Sequence, residues 1–362
     1  MLPPLHYIAY ANRHYVDARW NLASSNVPPY DLASLDVDRT RLNTHPTALT
    51  REAITAVAAR YGVAPDRVAM TAATSGANHT LAAWLGTTSP RRRILLERPG
   101  YEPMWQTPKL YGLEVAFFDR PTEHNRPACL SLQRVLDAVD DQTAAVWLTN
   151  PHNPTGRVIP DAALAELASA LKARGVLLYV DEVYLDFDGE LGRRSAVHLG
   201  DNVVIGSSLT KVYGLGSLRF GWLVGPPDLI AGARLLQLHT VGALSGPGLA
   251  LGLTVLDHLE AVKTRATAHL TGRAAQVAAA FATSPRVRWH APDTGIVGML
   301  SIHGVTDDLA FAEALMKDAS IITAPGTFFQ LPGMLRIGFG DDADTFHPAL
   351  ARLLDHLQGW RP

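Results

Sequence analysis

Residues 203–224 read VVIGSSLTKVYGLGSLRFGWLV. Two apolar runs, 203–205 and 220–224, flank a polar turn that carries Lys211 and Arg219. Runs this short, bounded by Gly and Ser, have the length of strands rather than helices. Working outward, similar runs recur at 176–180, 144–148, 94–97 and 67–70, with helical patterns between several of them at 77–85, 132–138 and 161–173. That alternation predicts an α/β domain built on a mainly parallel sheet covered on both faces. From 246 to 282 the pattern turns helical, starting at Gly246-Pro247, where a proline fits a first turn. One or two long helices leaving the domain are expected there. Beyond Pro285, strand-like runs at 295–302, 321–323 and 335–339 interleave with helices at 307–318 and 343–357, a smaller α+β unit. The first 45 residues, rich in Pro, Asn and Ser, are expected to wrap onto it. The expected division is therefore a large domain over 46–250 and a small one from 1–45 plus 251–362.

The chain has 362 residues, 47% of them hydrophobic, enough for two core-forming units. Lys plus Arg is 32 against 34 Asp plus Glu, so no basic footprint points to nucleic acid or an anionic membrane. The single cysteine, Cys129, cannot form an internal disulfide and fits a reducing compartment. No basic-then-apolar leader opens the sequence and no run reaches a membrane span, so the expectation is a soluble, cytoplasmic protein.

Chemistry gathers at the ends of the strand-like runs, where open α/β sheets bind ligands. The run at 67–70 leads into Thr74-Ser75-Gly76-Ala77-Asn78, and that at 94–97 into Pro99-Gly100-Tyr101. The next three lead into Asn150-Pro151-His152-Asn153-Pro154-Thr155-Gly156, into Asp181-Glu182-Val183-Tyr184 and into Ser207-Ser208-Leu209-Thr210-Lys211. A phosphate loop, an aromatic ring, a carboxamide, a carboxylate with a phenol, and an amine would then face one crevice. These parts suit pyridoxal phosphate, whose chemistry needs an amine to hold the aldehyde as a Schiff base and an acid to keep the ring nitrogen protonated. Lys211 and Asp181 fill those roles. Asn153 and Tyr184 can hydrogen-bond the ring's phenolic oxygen, and Tyr101 offers a face for stacking. Backbone N–H groups at the Gly76 helix start, the Ser208 hydroxyl and Arg219 would take the phosphate.

Through TNPHNPTG (149–156), VDEVY (180–184) and SSLTKVYGLGSLRFG (207–221), the chain resembles the fold type I pyridoxal phosphate enzymes, specifically the class I and II aminotransferases. The resemblance implies a large domain on a mainly parallel seven-stranded sheet and a smaller α+β domain. It implies an aminotransferase acting on an α-amino acid and a 2-oxo acid, and a homodimer. By it, Lys211, Asp181 and Tyr184 are catalytic. Its motifs also mark Asn153, Ser208 and Arg219 for the cofactor, and the strand-end reading adds Ser75, Gly76, Ala77, Asn78 and Tyr101 to the cofactor-binding set. LRIGFG (335–340) resembles the family's carboxylate-binding element and marks Arg336, while Ser25 and Asn26 fall where relatives contact substrate. The stretch RLNTHPTALTREAI (41–54) lacks the tyrosine that relatives extend to the neighbouring subunit's phosphate; either Asn43, Thr44 or His45 stands in, or the phosphate is held in cis alone.

Several other readings are set aside. Asp186-Phe187-Asp188-Gly189-Glu190 lacks the spacing of a calcium loop, and the 14 histidines show no tight ligand spacing, so no metal is inferred. Gly214-Leu215-Gly216-Ser217-Leu218-Arg219 fails a dinucleotide fingerprint at its third glycine. His152 reads as a position of little consequence and Arg91-Arg92-Arg93 as a solvated turn. A β-lyase, or an eliminating and cyclising enzyme similar to the capreomycidine synthases, shares every cofactor residue and is the alternative. A cofactor-sensing transcription regulator would need a DNA-binding domain that some 45 non-basic residues cannot supply.

Overall fold

The computed structural model describes residues 2–120, 130–187 and 195–359. Cys129 and positions 188–190 of the discarded calcium-loop reading lie outside them.

Seven strands form one sheet in the order Val68–Ala72, Phe220–Val224, Val203–Ser208, Leu177–Asp181, Thr143–Thr149, Arg93–Arg98, Glu114–Asp119. Only Phe220–Val224 runs antiparallel to its neighbours. Six strands lie at the expected runs. The seventh, Glu114–Asp119, escapes the sequence pattern because it is an edge strand whose EVAFFD carries charge at both ends and little full burial. Along the central strands, alternate side chains feed two cores. Val146, Leu148, Leu178 and Val180 enter one, while Ala145, Trp147, Tyr179 and Val204 enter the other. This period of two is what a sheet buried on both faces requires.

The small domain packs a four-stranded antiparallel sheet, in the order Ala324–Pro325, Met334–Gly338, Val297–Ile302, Val287–His290, against helices including Arg273–Ala282, Asp308–Ala319 and Ala343–Gly359. The N-terminal chain adds helix His6–His14, through Tyr7 and Tyr10, and pairs Trp20–Asn21 in parallel with Ile321–Ile322. The wrap onto the small domain is partial, since Tyr30, Leu32 and Leu35 pack against the large core. The 246–282 segment is broken into three α-helices, Gly246–Asp257, Leu259–Thr267 and Arg273–Ala282, by a non-helical His258 and a left-handed Gly272. Leu253, Val255, Leu259 and Val262 belong to the large core, so apolar packing extends beyond the expected boundary at 250. Among the described residues no helix is long and apolar enough to cross a membrane.

Candidate active site

The sheet register brings the chemistry together. Thr149 lies opposite Asp181 and Asp181 opposite Gly206, so three parallel strands end side by side. Gly206 is required there. A Cβ at that position would collide with the Tyr179 hydroxyl and crowd Ala77, preventing helix Ala73–Thr88 from seating on the sheet.

Beyond these strand ends a cavity of about 340 Å³ opens between the domains. Ten expected residues line it: Ser25, Asn26, Ser75, Asn78, Tyr101, Asn153, Asp181, Tyr184, Lys211 and Arg219. The volume falls in the range of sites that enclose a small organic ligand.

Asp181 is buried, accepts from the Val183 N–H at 3.1 Å and is hydrogen-bonded by the Asn78 side chain. Burial pushes its carboxyl up to about 6, against the pull of those two donors and of Lys211. Asn78 Oδ1 also accepts from the Tyr179 hydroxyl at 2.5 Å, so this carboxamide fixes the carboxylate to the sheet. Lys211 Nζ donates to Ser25 Oγ at 3.2 Å, and Ser25 is hydrogen-bonded to Tyr184. Burial and the cations Arg336 and Arg219 bring the Lys211 amine down to about 8, with Asp181 opposing them. The N-terminal strap is tied to this loop, Val27 N–H donating to the Lys211 carbonyl at 3.1 Å.

The helix start differs from the expectation. The helix begins at Ala73, not Ala77, with no side-chain cap. The first-turn N–H groups without helical partners are therefore those of Thr74 and Ser75, while Gly76 and Ala77 have their own N–H groups spent inside the helix. Ala77 is buried against the sheet and does not line the cavity. Gly76 and Ser208 also stand back from the wall. The buried Ser208 hydroxyl accepts from Thr74 Oγ1 at 2.9 Å and pairs with Thr210 Oγ1 at 2.8 Å, so Thr74 and Thr210 present hydroxyls where Ser208 was expected. Arg219 is exposed at the mouth, its Nη atoms reaching only the Gly216 and Ala72 carbonyls at 3.2 and 3.4 Å.

Arg336 lies wholly buried behind the wall. Its Nη1 donates to Asn153 Oδ1 at 2.9 Å, and its Nη2 to the Tyr7 hydroxyl and the Ala23 carbonyl, both at 2.7 Å. Phe329 and Tyr7 cover its faces. Tyr7 is a site residue that sequence reasoning missed. The spacing of Tyr7, Tyr10, Ala11 and His14 was the available signal for its helix. His152, read as inconsequential, is buried and bridges the Asn153 loop to the Tyr101 loop through Thr155 Oγ1 at 2.7 Å and the Pro99 carbonyl at 2.9 Å. The Arg91–Arg93 turn is not simply solvated, because Arg91 and Arg92 donate to backbone carbonyls of neighbouring turns.

The family model for class I and II aminotransferases matches residues 20–353. The histidinol-phosphate aminotransferase of Haloferax volcanii is 27% identical over 88% of this chain and 83% of that protein. The match to the histidinol-phosphate aminotransferase of Lysinibacillus sphaericus, 30% identical, covers 62% of this chain and only 60% of that protein. The crystal structure of a pyridoxal-phosphate-dependent aminotransferase from Streptococcus suis superposes with a TM-score of 0.87 at 21% identity, covering 100% and 99% of the two chains.

Proposed function

From the premise that this chain belongs to the class I and II aminotransferases, we propose that it transfers an amino group between an α-amino acid, or a close relative of one, and a 2-oxo acid. The family's cofactor is pyridoxal phosphate, and the residues present fit it. An amine and a buried carboxylate share one cavity whose rim carries unspent helix N–H groups, two hydroxyls and an arginine. The cofactor, when bound, supplies an electron sink for negative charge at the substrate α-carbon.

The rest of the chemistry belongs to the protein. Thr74 and Ser75 N–H groups, the Thr74 and Thr210 hydroxyls and Arg219 would hold the phosphate. Asp181, oriented by Asn78, would keep a proton on the ring nitrogen. Tyr101 would cover the ring, with Asn153 and Tyr184 within the same wall to hydrogen-bond its oxygen. Lys211 would hold the aldehyde at rest, and its amine, brought down to about 8, can take and return the α-proton near neutral pH. Arg336 would orient the substrate by its α-carboxylate.

We also propose a cytoplasmic homodimer. The lone cysteine supports the compartment. Exposed Leu235, Leu238 and Val241 at the end of helix Pro227–Thr240, beside an apolar groove through Leu244 and Leu249 that reaches Arg219, support a partner chain next to the phosphate site.

The observation that carries the reading is the shared cavity of Lys211 and Asp181 backed by Arg336. Product analysis after mixing the holoenzyme with an amino-acid panel, with and without 2-oxoglutarate, tests it. Turnover should require the keto acid and yield glutamate. Catalytic release of ammonia, or of a dehydrated or cyclised amino acid, without keto acid would replace transamination by elimination.

A further inference from the structure

Resting on the reading of Arg336 as the carboxylate partner, we propose that the Tyr7 hydroxyl is a displaceable ligand of Arg336 and sets how tightly carboxylate substrates bind. Each guanidinium Nη carries two hydrogens. Both hydrogens of Arg336 Nη2 are committed, one to Tyr7 and one to the Ala23 carbonyl at 2.7 Å each. Nη1 has one hydrogen on Asn153 and one left over, and buried Nε has no partner among the described residues. A carboxylate gripped by two parallel bonds must use either the Nη1 and Nη2 edge or the Nε and Nη2 edge. Both edges include Nη2. The free donors therefore cannot form a fork, and two-point binding has to evict one of its acceptors.

Ala23 cannot leave cheaply. Its carbonyl belongs to a strap pinned on both sides, with Leu22 N–H on the Ile322 carbonyl at 2.8 Å, Gly338 N–H on the Leu22 carbonyl at 2.7 Å and Ala23 N–H on Asn21 Oδ1 at 2.9 Å. Tyr7 is the side chain that can turn. It lines the cavity in front of Arg336, and a second acceptor, the Tyr15 hydroxyl, stands 3.5 Å from its oxygen in the same wall. Its backbone stays fixed meanwhile, because the buried Glu102 carboxylate accepts from the His6 and Tyr7 N–H groups at 2.9 and 2.7 Å. Glu102 directly follows Tyr101, so the residue covering the ring and the residue blocking the guanidinium share one anchor. Substrates with an α-carboxylate bear the cost of turning Tyr7 away. Amines without one do not.

The test compares wild-type and Tyr7→Phe holoenzymes. The phenyl ring retains the contacts with Phe328 and Phe329, and Tyr7→Leu, also without the hydroxyl, checks that the direction of the effect survives a change of packing. Binding of propionate is measured by calorimetric titration, and KM for an amino-acid donor and for its decarboxylated amine by steady-state kinetics. Removing one hydrogen bond from a charged group should lower the propionate dissociation constant and the amino-acid KM roughly tenfold. The amine KM should not follow. Unchanged or weaker propionate binding in Tyr7→Phe, or an equal change for amino acid and amine, overturns the proposal. Arg336→Gln separates the two levels: if it leaves propionate binding intact, the assignment of Arg336 itself has failed, whatever Tyr7 does.

Discussion

Arg336 Nη1 donates to Asn153 Oδ1 at 2.9 Å across 183 positions of sequence, joining the small-domain sheet to the loop that follows the central strand Thr143–Thr149. The proposed carboxylate and cofactor sites are thus one hydrogen-bonded unit. Arg336→Lys should cost an amino-acid donor roughly 1.5 to 3 kcal/mol in kcat/KM, because an ammonium cannot hold Asn153 and a carboxylate with a planar fork. An amine donor lacking the carboxylate should lose far less. Equal losses in paired kinetics would remove Arg336 from substrate binding.

Ala73 opens the phosphate-side helix at φ 62°, a left-handed conformation that suits glycine. The strain costs an alanine about 1 to 2 kcal/mol, and glycine returns about 0.5 to 1 kcal/mol of that through its looser unfolded state. Ala73→Gly should therefore leave the protein as stable or up to about 1.5 kcal/mol more stable. Ala73→Val, β-branched at the same angle, should destabilise it. Thermal unfolding of the two variants decides, and a stable Ala73→Val protein would mean that the helix begins differently.

The parts of the site legible in the sequence are those carried by contiguous residues. Asp181 follows an apolar run directly, and Asn153 and Lys211 follow theirs in the polar loops just beyond the strand ends, so strand period and strand-end position locate the three together. Tyr7 was not legible, because its role depends on a guanidinium 329 positions away and its helix has only nine residues. The helix start was not legible, because the helix begins four residues earlier than expected, at an uncapped alanine in a conformation no sequence rule assigns to alanine. The edge strand Glu114–Asp119 has one neighbour in the sheet and thus lacks the fully apolar run that marks the central strands.

Asp181 bears a stability cost for its proposed role. Its folded carboxyl titrates near 6 against 3.8 in the unfolded chain, so the folded state holds the proton more tightly. Its contribution is complete below about pH 4, declines as pH rises and is lost above about 6, a difference of about 3 kcal/mol. Asp181→Asn, which mimics the protonated form, should stabilise the cofactor-free protein above pH 8, where Lys211 is also largely discharged. The gap should close as pH falls from 6 toward 4. Denaturant unfolding across that range checks it, and a variant less stable than wild type at every pH would show that the charged carboxylate is well solvated. Transamination by Asp181→Asn should be severely impaired.

The central claim is that Lys211 is the amine that holds the cofactor. The sequence has four other lysines, Lys109, Lys172, Lys263 and Lys317, and none of these lines the cavity. Borohydride reduction of the native holoenzyme, followed by digestion and mass spectrometry, reads the attachment point directly. The account predicts one cofactor mass, on the peptide containing Lys211, and no adduct in Lys211→Ala. Stoichiometric labelling of any other lysine in the native protein, or a reducible adduct that survives Lys211→Ala, would contradict it.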